Sequence, residues 1–192
     1  MIGVGIVGSG FIGPAHIEAL RRLGDVQVVA LCDHALESAQ QKAAALNVPF
    51  AFGDIDAMLA HPGIDVVHNC TPNHLHADIN RQILRAGKHV FSEKPLCMTP
   101  EEATELVALA AQAGVVHGVR FVYRQFAMVQ QAASLQRHGR LGRLFSVYGS
   151  YLQDWMLLET DYNWRVDAAL GGASRAVADI GSHWCDTLQF VT

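Results

Sequence analysis

Short apolar runs alternate along much of the chain with longer segments whose apolar residues recur at helical spacing. The first run covers residues 1–7 and the second covers residues 26–31, and each has the length of a buried strand. Between them, Ile17, Leu20 and Leu23 recur on one helix face. Further apolar runs predict strands at residues 48–52, 64–70, 89–92 and 115–121, with helical segments in between. This alternation predicts an α/β fold with a parallel, doubly wound sheet, in a domain that ends near residue 121.

The pattern changes after residue 121. Met128 to Gln136 has helical spacing, and residues 143–152 alternate large apolar with small or polar side chains, which predicts a half-buried strand. A second helix is predicted over 174–190. We therefore predict two domains, an α/β domain over residues 1–121 and the start of an α+β domain over residues 122–192.

A glycine-rich turn joins the first predicted strand to the first helix. Gly8, Gly10 and Gly13 have G-x-G-x-x-G spacing. In this setting the first glycine permits a tight turn, the second lets the backbone approach a pyrophosphate, and the third lets helix and strand pack closely. The helix N-terminus adds unpaired N–H groups for phosphates. An ordinary glycine turn is the alternative, but the strand–turn–helix order favours a dinucleotide-binding Rossmann domain.

Asp33 follows the second predicted strand, roughly 20 residues beyond Gly13, where a carboxylate can accept hydrogen bonds from an adenosine ribose. His34 comes next, in place of a residue pair suited to a 2′-phosphate, which favours NAD over NADP. Asp33 could instead be the N-cap of the next helix, and the two roles are compatible.

Composition and charge argue against nucleic-acid binding, a membrane span and a metal site. The net charge of −4 gives no basic surface of the kind that binds nucleic acid. No run approaches the roughly 20 apolar residues of a membrane helix, and the N-terminal run is expected to be a strand, not a signal peptide. The four cysteines are scattered without a CxxC motif, which is typical of reduced thiols in a cytoplasmic protein. His74 and His76 have no cysteine nearby, so no metal site is predicted.

Two places carry groups suited to catalysis. Lys94 leaves the fifth strand between Glu93 and Pro95, where parallel sheets bind ligands. Asp179 and His183 share one face of a predicted helix, so the carboxylate can orient an imidazole that exchanges a proton near neutral pH. A surface pair that only supports the helix is the alternative that spacing leaves open.

Four motifs in order resemble those of the Gfo/Idh/MocA oxidoreductase family, and the resemblance spans nearly the whole chain. It implies NAD(P)-dependent hydride transfer at a secondary alcohol or ketone of a sugar, polyol or cyclitol. The motifs are Gly8-x-Gly10-x-x-Gly13, Thr71-Pro72-Asn73-x-x-His76, Glu93-Lys94-Pro95, and Gly171-Gly172 followed by Asp179-x-x-x-His183.

The resemblance implies that Lys94, Asp179 and His183 are catalytic. His183 would accept the hydroxyl proton, Lys94 would hydrogen-bond the same oxygen, and Asp179 would hold His183 or a neighbouring hydroxyl. The expected cofactor-binding residues are Gly8, Gly10, Phe11, Ile12, Gly13, Asp33, Thr71, Pro72, Asn73, His76, Glu93, Lys94 and Arg124. The expected substrate-binding residues are Lys94, Tyr162, Trp164, Arg165 and His183. The aromatic residues could instead pack their own loop.

The chain also departs from the family. Val122-Tyr123-Arg124 stands where the family often has Asn-Tyr-Arg, so an Asn contact near the nicotinamide ribose is not expected. Family members continue into a large antiparallel sheet, of which this chain carries one predicted strand, so we expect a truncated second domain. A lone strand invites association, which favours a homo-oligomer. Two other functions stay open: a dinucleotide-binding module impaired in turnover, and a chain that completes its sheet through oligomerisation.

Overall fold

The structure, a computed structural model, describes the backbone of residues 1–192 and every side chain except that of Leu170. The chain divides into two units, Met1–Arg120 and Phe121–Thr192. All strands of the described chain lie in the first unit. They are β1 (Ile2–Val7), β2 (Val26–Cys32), β3 (Phe50–Phe52), β4 (Val66–Asn69), β5 (His89–Ser92) and β6 (His117–Val119).

These strands form one parallel sheet in the order β3-β2-β1-β4-β5-β6, which confirms the predicted doubly wound fold. The strand order reverses between β1 and β4, and a crevice at the carboxyl ends of the strands is the usual ligand site in such sheets. The register places Val7 beside Asn69, and Asn69 beside Ser92. The segments that follow β1, β4 and β5 therefore leave the sheet at one edge.

Helices cover both faces of the sheet and bury a hydrophobic cluster on each. One cluster joins Ile6 and Leu31 to Ile17 of the first helix. The other joins Val67 to Ile83 on the opposite face. Burial of apolar surface on both faces explains why the strands read as continuous apolar runs. The helices of this unit are α1 (Gly13–Arg21), α2 (Leu36–Ala45), α3 (Ile55–Leu59), α4 (His76–Arg85) and α5 (Pro100–Ala113).

Helix ends follow the local chemistry of the sequence. The Asp54 carboxylate accepts a hydrogen bond from the backbone N–H of Ala57 and caps α3. Thr99 and Glu102 form a reciprocal capping box at the start of α5. Gly114 ends α5 in the left-handed region, with a φ of 65° that favours glycine. Each of these helix ends thus has a local chemical cause in the sequence.

The second unit is built from helices and irregular segments. Its helices are α6 (Ala127–Arg137), α7 (Ala168–Gly171) and α8 (Ser182–Val191). A π-helical turn, Val177–Gly181, leads directly into α8. The helix predicted from Ser174 therefore begins with a wider turn, and Asp179 lies in that turn.

The strand predicted over residues 143–152 is wrong. Residues 142–153 carry no helix or strand, and every strand of the described chain belongs to the parallel sheet. A strand requires a neighbour that accepts and donates its ladder hydrogen bonds, and an alternating pattern alone does not supply one. Phe145, Tyr148 and Leu152 are instead at least 84% exposed. No helix among the described residues has the length and apolar character needed to cross a membrane.

Candidate functional site

The glycine turn after β1 is shaped by close backbone contacts. Gly8 has a φ of +92°, and a Cβ there would lie 2.7 Å from the carbonyl oxygen of Cys70. A Cβ on Gly13 would lie 2.4 Å from the carbonyl oxygen of Gly8. Gly10 differs, because a Cβ there would have no protein atom within 4 Å. The turn thus needs glycine at its two ends and has open space at its middle, where an approaching pyrophosphate fits.

The N-terminus of α1 faces no side-chain cap. Its N-cap is Ile12, whose side chain makes no capping hydrogen bond. The first N–H groups of α1 and its positive dipole end are therefore suited to an anion. Phe11 projects beside this turn and is 95% exposed. These features fit the prediction that the turn holds the phosphates of a dinucleotide.

The Asp33 carboxylate lies at the end of β2 beside the glycine turn. One oxygen accepts hydrogen bonds from the hydroxyl and backbone N–H of Ser9, and the other accepts from the backbone N–H of His34 at 2.7 Å. Burial by itself would raise the pKa of Asp33, but the hydrogen bonds from Ser9 and His34 outweigh it and hold the pKa below its ordinary value. Helix α2 has Ala35 as its N-cap, so the alternative role of Asp33 as that cap is wrong.

The loop after β4 is fixed by buried amides. The Asn69 side-chain oxygen accepts from the hydroxyl of Thr71 at 2.6 Å and from its backbone N–H at 3.2 Å. The Asn69 side-chain nitrogen donates to Asn80 at 2.9 Å. The short 3-10 helix Asn73–Leu75 follows and leads into α4. Asn69 and Asn80 were not singled out in the sequence, although polar residues at the end of an apolar strand and on an inward helix face are the signal that could have identified them.

His76 is buried and joins the loop after β4 to the segment after β5. Its side chain is buried, with Nε2 2.7 Å from the carbonyl oxygen of Thr71 and Nδ1 2.5 Å from that of Pro95. Burial lowers the pKa of His76, although both carbonyl oxygens favour the charged ring. Both ring nitrogens of His76 are therefore engaged inside the protein, and the cofactor contact predicted for His76 stays a prediction.

Glu93 is the centre of a buried cluster that the sequence did not reveal. One carboxylate oxygen accepts from His16 Nε2 at 2.9 Å and from Arg120 Nη1 at 3.0 Å, and the other accepts from the backbone N–H of Lys94 at 3.3 Å. His16 Nδ1 lies 2.8 Å from His68 Nδ1. Burial would raise the pKa of Glu93, but the hydrogen bond from His16 and the charge of Arg120 lower it overall. Protein donors occupy both oxygens of the Glu93 carboxylate, and the cofactor contact predicted for Glu93 stays a prediction.

The His183 ring lies among aromatic side chains in the second unit. Its centroid is 4.5 Å from the Tyr123 ring centroid, 6.0 Å from that of Phe121 and 6.4 Å from that of Tyr151. The hydroxyls of Tyr123 and Tyr151 share a hydrogen bond. Partial burial and that bond raise the pKa of Tyr151 to about 12. The imidazole is therefore oriented by ring packing, a support that the Asp179–His183 spacing did not indicate.

Asp179 has a partner in the short 3-10 helix Trp164–Val166 that precedes it. Its carboxylate accepts from Arg165 Nε at 3.2 Å, and the Arg165 guanidinium lies 4.5 Å from the centroid of the Trp164 ring. Arg165 thus contacts both Asp179 and the Trp164 ring, and the substrate-binding roles predicted for Arg165 and Trp164 stay predictions. Tyr162 is 72% exposed.

Arg124 makes a two-pronged ion pair with Asp186. Arg124 Nε lies 2.9 and 2.8 Å from the two carboxylate oxygens, and Nη2 donates to one of them. The Asp186 residue is 6% exposed. The pair ties the 3-10 turn Val122–Gln125 to α8, so the cofactor role expected of Arg124 competes with a structural one.

Comparison with known proteins agrees with this architecture. The sequence model for the oxidoreductase family with an NAD-binding Rossmann fold, GFO_IDH_MocA, matches residues 2–121. The model for the GFO/IDH/MocA C-terminal domain matches residues 129–192. The chain belongs to the GFO/IDH/MocA oxidoreductase family. The predicted membership and the predicted NAD-binding Rossmann domain are confirmed.

Two of the similar proteins are named as dehydrogenases of sugar compounds. Levoglucosan dehydrogenase of Pseudarthrobacter phenanthrenivorans is 33% identical over 99% of this chain and 51% of its own length. D-glucoside 3-dehydrogenase of Escherichia coli is 31% identical over 98% of this chain and 53% of its own length. A levoglucosan dehydrogenase structure with NADH and levoglucosan superimposes with a TM-score of 0.91 at 32% identity, over 100% of this chain and 54% of that one. The chain thus spans about half the length of the relatives it matches.

Proposed function

We propose that this chain is an NAD-dependent oxidoreductase that transfers a hydride between nicotinamide and a secondary alcohol or ketone of a sugar, polyol or cyclitol. The observation that carries the proposal is the match of both family domains, in order, to this chain. The names of the relatives, which refer to levoglucosan and to glucosides, support a sugar-class substrate.

The first unit supplies the residues that would hold the dinucleotide. The turn Gly8–Gly13 and the N-terminus of α1 would bind the pyrophosphate, and Thr71, Pro72 and Asn73 would line the neighbouring strand end. Asp33 would accept hydrogen bonds from the adenosine ribose, and its negative charge disfavours the 2′-phosphate of NADP. When bound, NAD supplies the hydride acceptor.

The catalytic roles are assigned to Lys94, Asp179 and His183. His183 takes the hydroxyl proton as general base, since an imidazole can exchange a proton near neutral pH. Lys94 donates a hydrogen bond to the substrate oxygen and stabilises negative charge developing there. Asp179, held by Arg165, supports the turn that leads into the helix of His183. The exposed ring of Tyr162 is assigned to stack on an apolar sugar face.

Single-residue variants of the catalytic pair test these roles. Lys94→Ala and His183→Ala should bind NADH within about threefold of the unmodified chain, yet lose at least about a hundredfold in turnover on a polyol and sugar panel, since each removes a group acting at the substrate oxygen. NADH fluorescence titration and absorbance at the nicotinamide band are the measurements. Loss of NADH binding in both variants would contradict the assignment.

A dinucleotide-binding module without turnover is the second candidate. The observation that favours it is that residues 2–121 alone match the family's NAD-binding Rossmann model, which supports dinucleotide binding independently of turnover. Tight NADH binding with no oxidation of any sugar or polyol on the panel would select this function over catalysis.

We also assign the chain to a homo-oligomer in the cytoplasm. The exposed apolar side chains Phe145, Tyr148 and Leu152 provide a surface that a second copy could cover. All four cysteines are free thiols, which suits a reducing compartment. Light scattering tests the assembly, and a monomer at all concentrations would contradict it.

A further inference from the structure

We propose that His16 is a positioning residue for Lys94 and that it acts through the carboxylate of Glu93. The inference rests on the proposed function only in taking Lys94 as the reacting lysine. His16 lies one helical turn after Gly13 on α1, with a side chain that is 4% exposed. It is buried against the sheet and is suited to support another residue.

The Glu93 carboxylate connects the side chain of His16 to the backbone of Lys94 through two hydrogen bonds. One oxygen accepts from His16 Nε2 at 2.9 Å, and the other accepts from the Lys94 backbone N–H at 3.3 Å. Arg120 also donates to Glu93, at 3.0 Å, but its side chain is 29% exposed and water competes for it. The sheltered bond from His16 therefore does most to fix the plane of the carboxylate.

The tautomers of two histidines follow from the same contacts. Because a carboxylate only accepts hydrogen bonds, the Nε2 of His16 must carry the proton. In the tautomer of His16 that carries its single proton on Nε2, the Nδ1 is a lone pair that accepts from the His68 Nδ1 facing it at 2.8 Å. His68 therefore donates to His16, and His16 donates to Glu93. Phe91 packs on the His68 ring, with centroids 5.1 Å apart, and helps to hold its orientation.

This arrangement ties Lys94 to the helix that begins at the glycine turn. On the other side of Lys94, the carbonyl oxygen of Pro95 is held by His76 Nδ1 at 2.5 Å. That second contact comes from α4, whereas His16 belongs to α1, which starts at Gly13. Helix α1 would thus position two groups. Its N-terminus would hold the dinucleotide, and its His16 side chain would position Lys94 through Glu93.

Two substitutions at His16 separate its two contacts. The amide nitrogen of Gln lies close to the place of His Nε2, so His16→Gln keeps a donor for Glu93. The shorter His16→Asn can still meet His68 but does not reach Glu93. His117→Gln is the matched control, because His117 is an exposed histidine outside this cluster. All variants are made in the full chain.

Amide hydrogen exchange at Lys94, followed by NMR, is the principal measurement. His16→Asn should speed exchange of the Lys94 amide about tenfold, the effect of releasing one hydrogen bond, while amides of Ile6 and Val67 keep their rates. His16→Gln and His117→Gln should leave the Lys94 rate unchanged within about threefold. The proposal would be overturned if His16→Asn and His16→Gln accelerated exchange of the Lys94 amide equally. It would also be overturned if the Lys94 amide accelerated only by as much as the amides of Ile6 and Val67.

Nitrogen-15 chemical shifts of the unmodified protein test the same network without any substitution. We expect the proton of His16 on Nε2 and that of His68 on Nδ1, and the opposite tautomer of either histidine would overturn the proposal. In turnover assays, kcat should fall about tenfold in His16→Asn and not in His16→Gln, with KM for NAD unchanged within about threefold. If the unmodified chain does not turn over, the proposed function fails, whereas the amide and tautomer measurements still decide the role of His16.

Discussion

At the residue scale, the Asp33 carboxylate is held by protein donors at the end of β2, in the place where we propose that it binds the adenosine ribose. Ser9 and His34 donate to its two oxygens, and its pKa lies below the ordinary value. The side chain therefore keeps its negative charge at neutral pH beside the glycine turn. A ribose diol can donate to such a group, and a 2′-phosphate is repelled by it.

Asp33→Asn tests that discrimination. The substitution removes the charge and should weaken NADH binding about tenfold while improving the affinity for NADPH relative to NADH, because charged hydrogen bonds contribute more than neutral ones. Fluorescence titrations with both dinucleotides measure the ratio. Asp25→Asn, at an exposed carboxylate, is the control. An unchanged NADPH-to-NADH ratio would contradict the role of Asp33.

His68 makes stability depend on pH. Burial and the neighbouring His16 lower the pKa of His68 from 6.5 to about 4. On acidification, the unfolded chain takes up the His68 proton at a higher pH than the native protein does. The contribution of His68 to the free energy of unfolding is therefore fully present above pH 6.5 and is lost as the pH falls toward 4, by at most about 3 kcal/mol. His76 acts in the same direction, since burial lowers its pKa as well.

Urea unfolding between pH 7 and 4 measures this dependence. His68→Gln cannot titrate and should show a shallower loss of the free energy of unfolding over that range, with the remainder arising from His76 and the acidic groups. His117→Gln should keep the slope of the unmodified protein. An unchanged slope in His68→Gln would show that His68 is not neutral in the native state.

The residues of the site differ in how far one sequence could predict them. Gly8, Gly13 and Asp33 were found because motif and spacing are local, and the structure supplies the close contacts that such spacing requires. The contact of His16 with His68 and Glu93 was missed, because these residues lie far apart in sequence and meet only when α1 packs on the sheet. A histidine within the apolar run of β4 was the one available signal.

At the element scale, the strands of the first unit were predicted within a few residues, and helical segments were predicted between them. Apolar runs, a capping box and a left-handed glycine are local signals, and here the tertiary structure agrees with them. The strand predicted at residues 143–152 failed because strand formation depends on a partner. The π-helical turn before α8 was missed as well, since apolar spacing does not distinguish it from the start of an α-helix.

The capping box of α5 offers a direct test at this scale. Thr99→Ala removes the side-chain acceptor for the backbone N–H of Glu102 and should lower the free energy of unfolding by about 1 kcal/mol. Thr104→Ala is the control, because Thr104 lies exposed within the same helix and alanine favours helix there. Urea denaturation measures both. Equal stability of the Thr99 and Thr104 variants would contradict the capping role.

At the scale of the whole molecule, the chain joins an NAD-binding unit to a second unit that matches the family's C-terminal domain. Each unit carries part of the proposed chemistry: the dinucleotide turn and Lys94 in the first, Asp179 and His183 in the second. Each of these groups is supported by buried or packed neighbours, such as Glu93 beside Lys94 and Tyr123 beside His183. The central claim is that the first unit binds a dinucleotide at the glycine turn.

An NADH titration of Gly10→Val, compared with Gly24→Val and the unmodified chain, tests that claim most directly. A Cβ at either glycine would have no protein atom within 4 Å, so both variants should keep the fold and the urea midpoint. At Gly10 the added side chain fills the space assigned to the pyrophosphate, and NADH affinity should fall at least about a hundredfold, while Gly24→Val binds normally. Unchanged NADH affinity in a folded Gly10→Val variant would contradict the account.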